Sequence, residues 1–146
     1  MKGMTIIVKK TTQIMAPVIF LFGFYIIIHG HLTPGGGFAG GVVMAGSFIL
    51  LILANGTILP KLRREEEGME LLESAAIFGF LVLAGLGLLF SGTVVFFGNF
   101  IEKGVVGKLL SAGFIPIENL VVGAEVCAAI STIFIALVVF KDEVEK

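Results

Sequence analysis

Four ionisable side chains sit inside stretches that are otherwise apolar: His29, His31, Glu118 and Glu125. Titratable groups are costly in hydrocarbon surroundings, and where they occur they commonly mark ion or proton routes. Glu118 and Glu125 are seven residues apart, so on a helix they share a face and stand about 10 Å from each other along the axis. No basic residue lies at the depth of Glu125 in the same apolar run. Its counter-charge must come from another chain, or desolvation drives the carboxyl toward its neutral form. Histidine exchanges protons near neutral pH in water, and His29 follows Tyr25 by four residues, on one helical face. Reversible protonation or cation exchange is the chemistry these groups support. Plainer roles stand beside it. Glu118 is also suited to a helix N-terminus, where the dipole favours a carboxylate, and the two histidines to capping carbonyls at a helix end. Histidines two residues apart diverge, and no third ligand is near in sequence, so no metal site is expected.

The elements that must position these groups follow from composition. Hydrophobic residues make up 57% of the 146 and charged ones only 14%, with a mean hydropathy of +1.08. That is too little polar surface to clothe a water-soluble core. The uncharged run from Thr11 to Pro60 is long enough for two spans, since about 20 helical residues cross the hydrocarbon. Further spans come from Ser74 to Ile101 and from Leu120 to Phe140, the latter interrupted only by Glu125. The fold class expected is therefore an all-α integral membrane protein of four transmembrane helices, in one domain over residues 1–146. The helices are placed near residues 12–28, 38–59, 74–97 and 117–140, with Pro17 close to the start of the first, where its missing N–H does little harm. After Lys9 and Lys10 the apolar stretch continues to Ile28 without an A-x-A cleavage pattern, so this helix is expected to be retained.

Orientation follows from basic residues, which concentrate in short cytoplasmic loops. Lys2, Lys9, Lys10, Lys61, Arg63, Arg64, Lys141 and Lys146 fall on one side of a four-helix chain, and only Lys103 and Lys108 on the other. Both termini are thus expected to be cytoplasmic. The mixed-charge stretch KLRREEEGMELLES, with Arg63 and Glu67 four apart, reads as a solvated helical connection. Between the third and fourth helices, the LLSAGF portion of a glycine-containing connection is apolar enough for the interface or for burial against a partner. A formal net charge of −1 gives no basic field for nucleic acid. The single cysteine, Cys127, excludes an internal disulfide and reads as a small buried hydrophobe, and without CxxC no iron–sulfur or zinc cysteine cluster is expected.

The stretch HGHLTPGGGFAGG, His29 to Gly41, joins the first two helices. A P-loop would need its lysine, and Thr11 to Pro60 holds none; a dinucleotide fingerprint would need a βαβ unit. What remains is backbone geometry. Pro34 ends the helix, Gly35, Gly36 and Gly37 permit positive φ in a glycine-rich hairpin, and Gly40 and Gly41 let neighbouring backbones come close. Gly37, Gly41 and Ala45 form a small-xxx-small stripe of the kind that packs helices in lipid. In the fourth helix Gly123, Ala124, Ala128 and Ala129 are expected to surround Glu125 and turn it into protein, with Phe134, Leu137 and Phe140 facing lipid.

HGHLTPGGGFAGGVV at the junction of the first two helices, with the polar PIENLVVGAE of the fourth, resembles the B subunit of Mrp-type multisubunit sodium/proton antiporters. The likeness covers nearly the whole chain. It implies an accessory subunit of a cation/proton antiporter, working inside a large hetero-oligomer in the cell membrane whose bigger antiporter-type subunits hold the main proton channels. Similar modules are built into membrane-bound hydrogenases and related respiratory complexes, so redox subunits are further partners the resemblance implies. It assigns no proton-carrying residue in this chain. Two other classes stay open: a structural subunit that carries no ion, and a haem-binding membrane anchor. Haem ligation wants histidines on facing helices, whereas His29 and His31 lie at one turn, so no cofactor is expected and the chain is not an enzyme on its own.

Overall fold

The computed structural model describes residues 4–56, 59–90, 92, 95–109 and 111–144. Lys2 and Lys146, and the side chains of Lys61 and Arg63, which carry part of the charge asymmetry, lie outside the described residues. Regular structure among the described residues is helical throughout: α1 (Ile6–Ile28), α2 (Gly37–Asn55), α3 (Leu59–Phe90) and α4 (Ile115–Val144). Each contains a segment long and apolar enough to cross a membrane, and the protein is a multi-pass membrane protein.

α1 begins at Ile6 rather than near residue 12, so it takes in Lys9 and Lys10. Their stems can lie along apolar surface while the ammonium groups reach water. Pro17 is then an interior residue, not an N-terminal one. It removes the bond to the carbonyl of Gln13, a loss that helices in apolar surroundings tolerate where neighbours re-satisfy the group. α2 starts after Gly36 (φ +91) and stops at Gly56 (φ +70), whose N–H closes the last turn on the Ile52 carbonyl. Met4 N–H donates to the carbonyl of Ala54 (3.1 Å), which brings the start of α1 to the end of α2 and makes the two antiparallel.

The charged KLRREEEGMELLES stretch is part of α3. Thirty-two residues give a helix of about 48 Å, longer than a hydrocarbon core of ~30 Å, so the turns from Arg64 to Glu73 can stand beyond the apolar part. At its other end α3 stops at Phe90 instead of continuing to Phe97. Gly92 turns at φ +69, and residues 95–100 fold back along α3. Phe97 N–H reaches the Ala84 carbonyl (3.5 Å), and Gly98 lies so close to Gly87 that a Cβ there would be 2.6 Å from the Gly98 nitrogen. Phe97 and Gly98 thus lie against α3 instead of extending it.

α1 packs on α2, α2 on α4 and α4 on α3, with a shorter contact between α1 and α4. α4 is therefore the central helix. Buried positions are mostly small: Ala16, Ala45, Ala54, Ala76, Ala84, Cys127 and Ala128. Large apolar side chains such as Phe22, Phe78, Leu89, Leu137 and Phe140 point outward. This inversion of the soluble pattern suits helices that associate through close packing in lipid. Phe134, expected on the lipid face, is half-buried instead and packs with Ile52 against Ile135 and Val138.

Candidate functional site

Two glycine contacts lock the helices. Gly40 faces Gly23 and Ile27, so α1 and α2 touch backbone to backbone: a Cβ on Gly40 would lie 2.6 Å from the Gly23 carbonyl oxygen. Gly37 and Gly41 face α4, where the same atom would meet the carbonyl oxygens of Asn119 (2.5 Å) and Gly123 (2.7 Å). The connection 29–36 supplies the turn, with Gly35 (φ +148) and Gly36 (φ +91) in backbone regions that favour glycine. Pro34 is exposed beside them.

Asn119 ties these pieces together, and nothing in the sequence pattern singled it out. Its Oδ1 accepts the N–H of Gly37 (3.3 Å), the first residue of α2, and its amide lies against Gly30 and Gly36. One side chain of α4 therefore answers an orphan donor at the start of α2 and sets the end of α1 beside the start of α4. Asn119→Ala leaves that donor unpaired, at a cost of about 1–3 kcal/mol. The expected outcome is a lower melting temperature of the purified assembly. An unchanged melting curve would show the link to be dispensable.

The two histidines part company. His29 Nδ1–H donates to the Tyr25 carbonyl (3.0 Å), and its ring stacks on Tyr25 at 4.0 Å between centroids. Its own carbonyl accepts from Leu32 N–H, Thr33 N–H and the Thr33 hydroxyl. His29 is thus built into the C-terminal cap of α1. His31 plays no such part: both ring nitrogens are buried and have no hydrogen-bond partner among the described residues. An imidazole carries at least one N–H, which is costly to leave unpaired at low dielectric.

Glu118 lies in the first turn of α4, half-buried, and its N–H bonds the Phe114 carbonyl. Glu125, also half-buried, faces away from the glycines. It lines a groove of about 270 Å³ between α3 and α4, with Ile77, Phe80, Leu81, Val121 and Val122. Of the small residues expected around it, Gly123 turns elsewhere for a geometric reason. Gly123 lies against Ile27 and Gly37, so its side of α4 meets α1 and α2, while Glu125 looks toward α3. Seven residues beyond it, Thr132 carries a buried hydroxyl with no partner among the described residues, a third polar position on the Glu118–Glu125 face. Among the described residues no three His, Cys, Asp or Glu side chains gather as a metal-ligand set.

Four spanning helices interlocked through glycines, with carboxyls and imidazoles held singly at their faces, define a small multi-pass membrane subunit. Residues 7–132 match the profile of a domain related to the MnhB subunit of Na+/H+ antiporters, and the chain belongs to the MnhB family. It is 34% identical over 148 residues to an uncharacterized protein of Methanocaldococcus jannaschii, covering 97% of this chain and 55% of the relative. A Staphylococcus aureus protein named as antiporter subunit mnhB2 is 30% identical over 117 residues, 80% of this chain and 74% of that one. Among solved structures, a chain of the membrane-bound sulfane sulfur reductase, an archaeal respiratory membrane complex, matches at a TM-score of 0.76 and 33% identity, over 91% of this chain and 57% of that one. The chain thus spans little more than half the length of the archaeal relative and of the matched reductase chain.

Proposed function

We propose that this protein is an accessory membrane subunit of a multisubunit antiporter exchanging sodium for protons, and that Glu125 lines its own contribution to the ion pathway. The observation that carries the reading is the placement of that carboxyl in an apolar groove between two spanning helices, with no basic side chain among the groove's lining residues. A carboxyl so placed binds a proton or a cation reversibly only if it can exchange with water, and Glu118 on the same face, nearer the end of α4, gives it a neighbour in that direction. His31 sits at the end of the bundle where α1 ends and α4 begins, and its unpartnered ring nitrogens suit a proton-exchanging group there. Replacing Glu125 by Gln tests the reading through ion transport in inverted vesicles.

The likeness to a chain of a respiratory complex favours a second setting, in which the same module is the ion-translocating part of a redox-driven pump, as a membrane-bound hydrogenase would need. Purifying the native assembly through a tag on this subunit separates the two: antiporter-type companions alone mean an antiporter, and an iron–sulfur or nickel protein among them means a redox-driven complex. In both settings the termini are cytoplasmic, one membrane domain does the work, and the glycine-rich hairpin at 29–36 faces outward. With Cys127 replaced by Ala, a cysteine at exposed Lys103 is expected to react with an impermeant maleimide in intact cells, and one at exposed Glu70 only after the cytoplasmic face is opened. The reverse pattern would overturn the orientation and with it the outward placement of His29 and His31.

A further inference from the structure

The fold-back segment after α3 bears on the groove that holds Glu125. Phe80 is a wall of that groove, and its ring also packs on Phe97, with centroids 4.9 Å apart and planes at 46°. Phe97 adopts φ +59, a region that bulky side chains rarely occupy, with its side chain partly exposed. Its N–H bonds the Ala84 carbonyl, one turn beyond Phe80, and the bare backbone of Gly87 receives Gly98. The base of the segment is fixed as well. Asn99 donates from Nδ2 to the Ile101 carbonyl (2.8 Å) and accepts from Phe114 N–H (3.2 Å), just before α4 begins. Phe97 is therefore packed on one wall of the groove, Phe80, on the side toward the end where α3 stops and α4 starts.

We propose that Phe97, paired with Phe80, is a hydrophobic gate that closes the Glu125 groove toward that end of the bundle, and that the strained 95–98 segment is the part that moves to open it. The inference rests on the reading of Glu125 as an ion-exchanging carboxyl. The sides of the groove face lipid or a neighbouring subunit in a membrane, so an aqueous route to Glu125 runs along the helices and past this pair. An apolar constriction of that kind blocks water and ions by dewetting and opens when one ring leaves. A residue held at positive φ supplies the bistability, because release to an ordinary conformation relieves strain as the ring is lost from the contact. Glu118 lies on the same helix nearer the closed end, so opening joins the two carboxyls along one face.

The test is carboxyl modification in the purified, assembled complex, without turnover: a water-soluble carbodiimide with a nucleophilic amine, and the Glu125 peptide followed by mass spectrometry. Phe97→Gly keeps the positive φ without strain and removes the ring. It is expected to speed modification of Glu125 at least about fivefold, the scale set by losing one aromatic pair, while buried Cys127 stays unreactive to maleimide. Phe80→Leu leaves the 95–98 backbone alone and decides the matter should Phe97→Gly fail to assemble; it is expected to raise the rate in the same direction. An unchanged Glu125 rate in an assembled variant, or a rise accompanied by reaction of Cys127, would overturn the gate, the latter because it reports separated helices. A silent Glu125→Gln in transport would instead overturn the pathway and leave the labelling result standing.

Discussion

In inverted vesicles, an assembled Glu125→Gln complex is expected to exchange sodium for protons at least about tenfold more slowly than the unaltered one, equivalent to about 1.4 kcal/mol on the limiting barrier. Gln keeps the shape of the side chain and its hydrogen-bonding reach, and loses only the ability to carry a proton or balance a cation. The groove makes that loss matter. Its remaining lining residues, Ile77, Phe80, Leu81, Val121 and Val122, offer no side-chain group that could stand in. Glu118→Gln is expected to have a milder effect, since that carboxyl sits in the first turn of α4, where backbone N–H groups and nearby water can stabilise an ion without it. Native electrophoresis must show both variants assembled at the normal level. Wild-type exchange by an assembled Glu125→Gln complex from pH 6 to 9 would assign the subunit a structural role with no ion-carrying carboxyl.

Four spanning helices could be read from hydropathy because every stretch of about 20 uncharged residues has few alternatives in a bilayer. The ends of those helices could not. Val95, Phe96 and Phe97 are as apolar as the helix before them, and hydropathy has no means of telling a helix that continues from residues that lie back against it. The turn at Gly92 and the notch at Gly87 were the available signals, and a glycine-rich apolar sequence offers many such signals with no special meaning. The small-residue stripe at Gly37 and Gly41 was visible by spacing alone. Its partner was not, because spacing describes one helix and the contact with Asn119 and Gly123 belongs to two. For the same reason the neighbours of Glu125 were only partly legible: Gly123, two positions and about 200° away around the helix, faces α1 and α2, whereas Glu125 lines the groove with α3. His29 and His31 look equivalent in sequence. The structure separates them by one event, the end of α1, which gives His29 a carbonyl at i−4 and gives His31 none.

Replacing Gly37 or Gly41 by Leu is expected to release the subunit from its assembly, and the smaller change to Ala already to weaken it. An added Cβ at Gly37 would lie 2.5 Å from the Asn119 carbonyl oxygen and 3.0 Å from Val122 Cβ; at Gly41 it would lie 2.7 Å from the Gly123 carbonyl oxygen and 2.9 Å from Val126 Cβ. The obstructing atoms are backbone and β-carbons, which cannot swing aside as the end of a flexible side chain can. α2 and α4 must therefore separate, and overpacking of this kind costs about 1–3 kcal/mol for a methyl and more for a full leucine. In lipid no hydrophobic driving force is available to compensate, since helices associate there through close packing itself. Gly46 provides the control: it lies on the same helix and nothing stands within 4 Å of its added Cβ. Gly46→Ala should leave the complex intact, with any change coming from helix propensity, where Ala exceeds Gly by about 1 kcal/mol in water. The comparison is made by native electrophoresis and thermal melting of all three Ala variants. Equal behaviour at positions 37, 41 and 46 would mean that α2 and α4 are not held by this contact, and the assignment of α4 as the central helix would lose its main support.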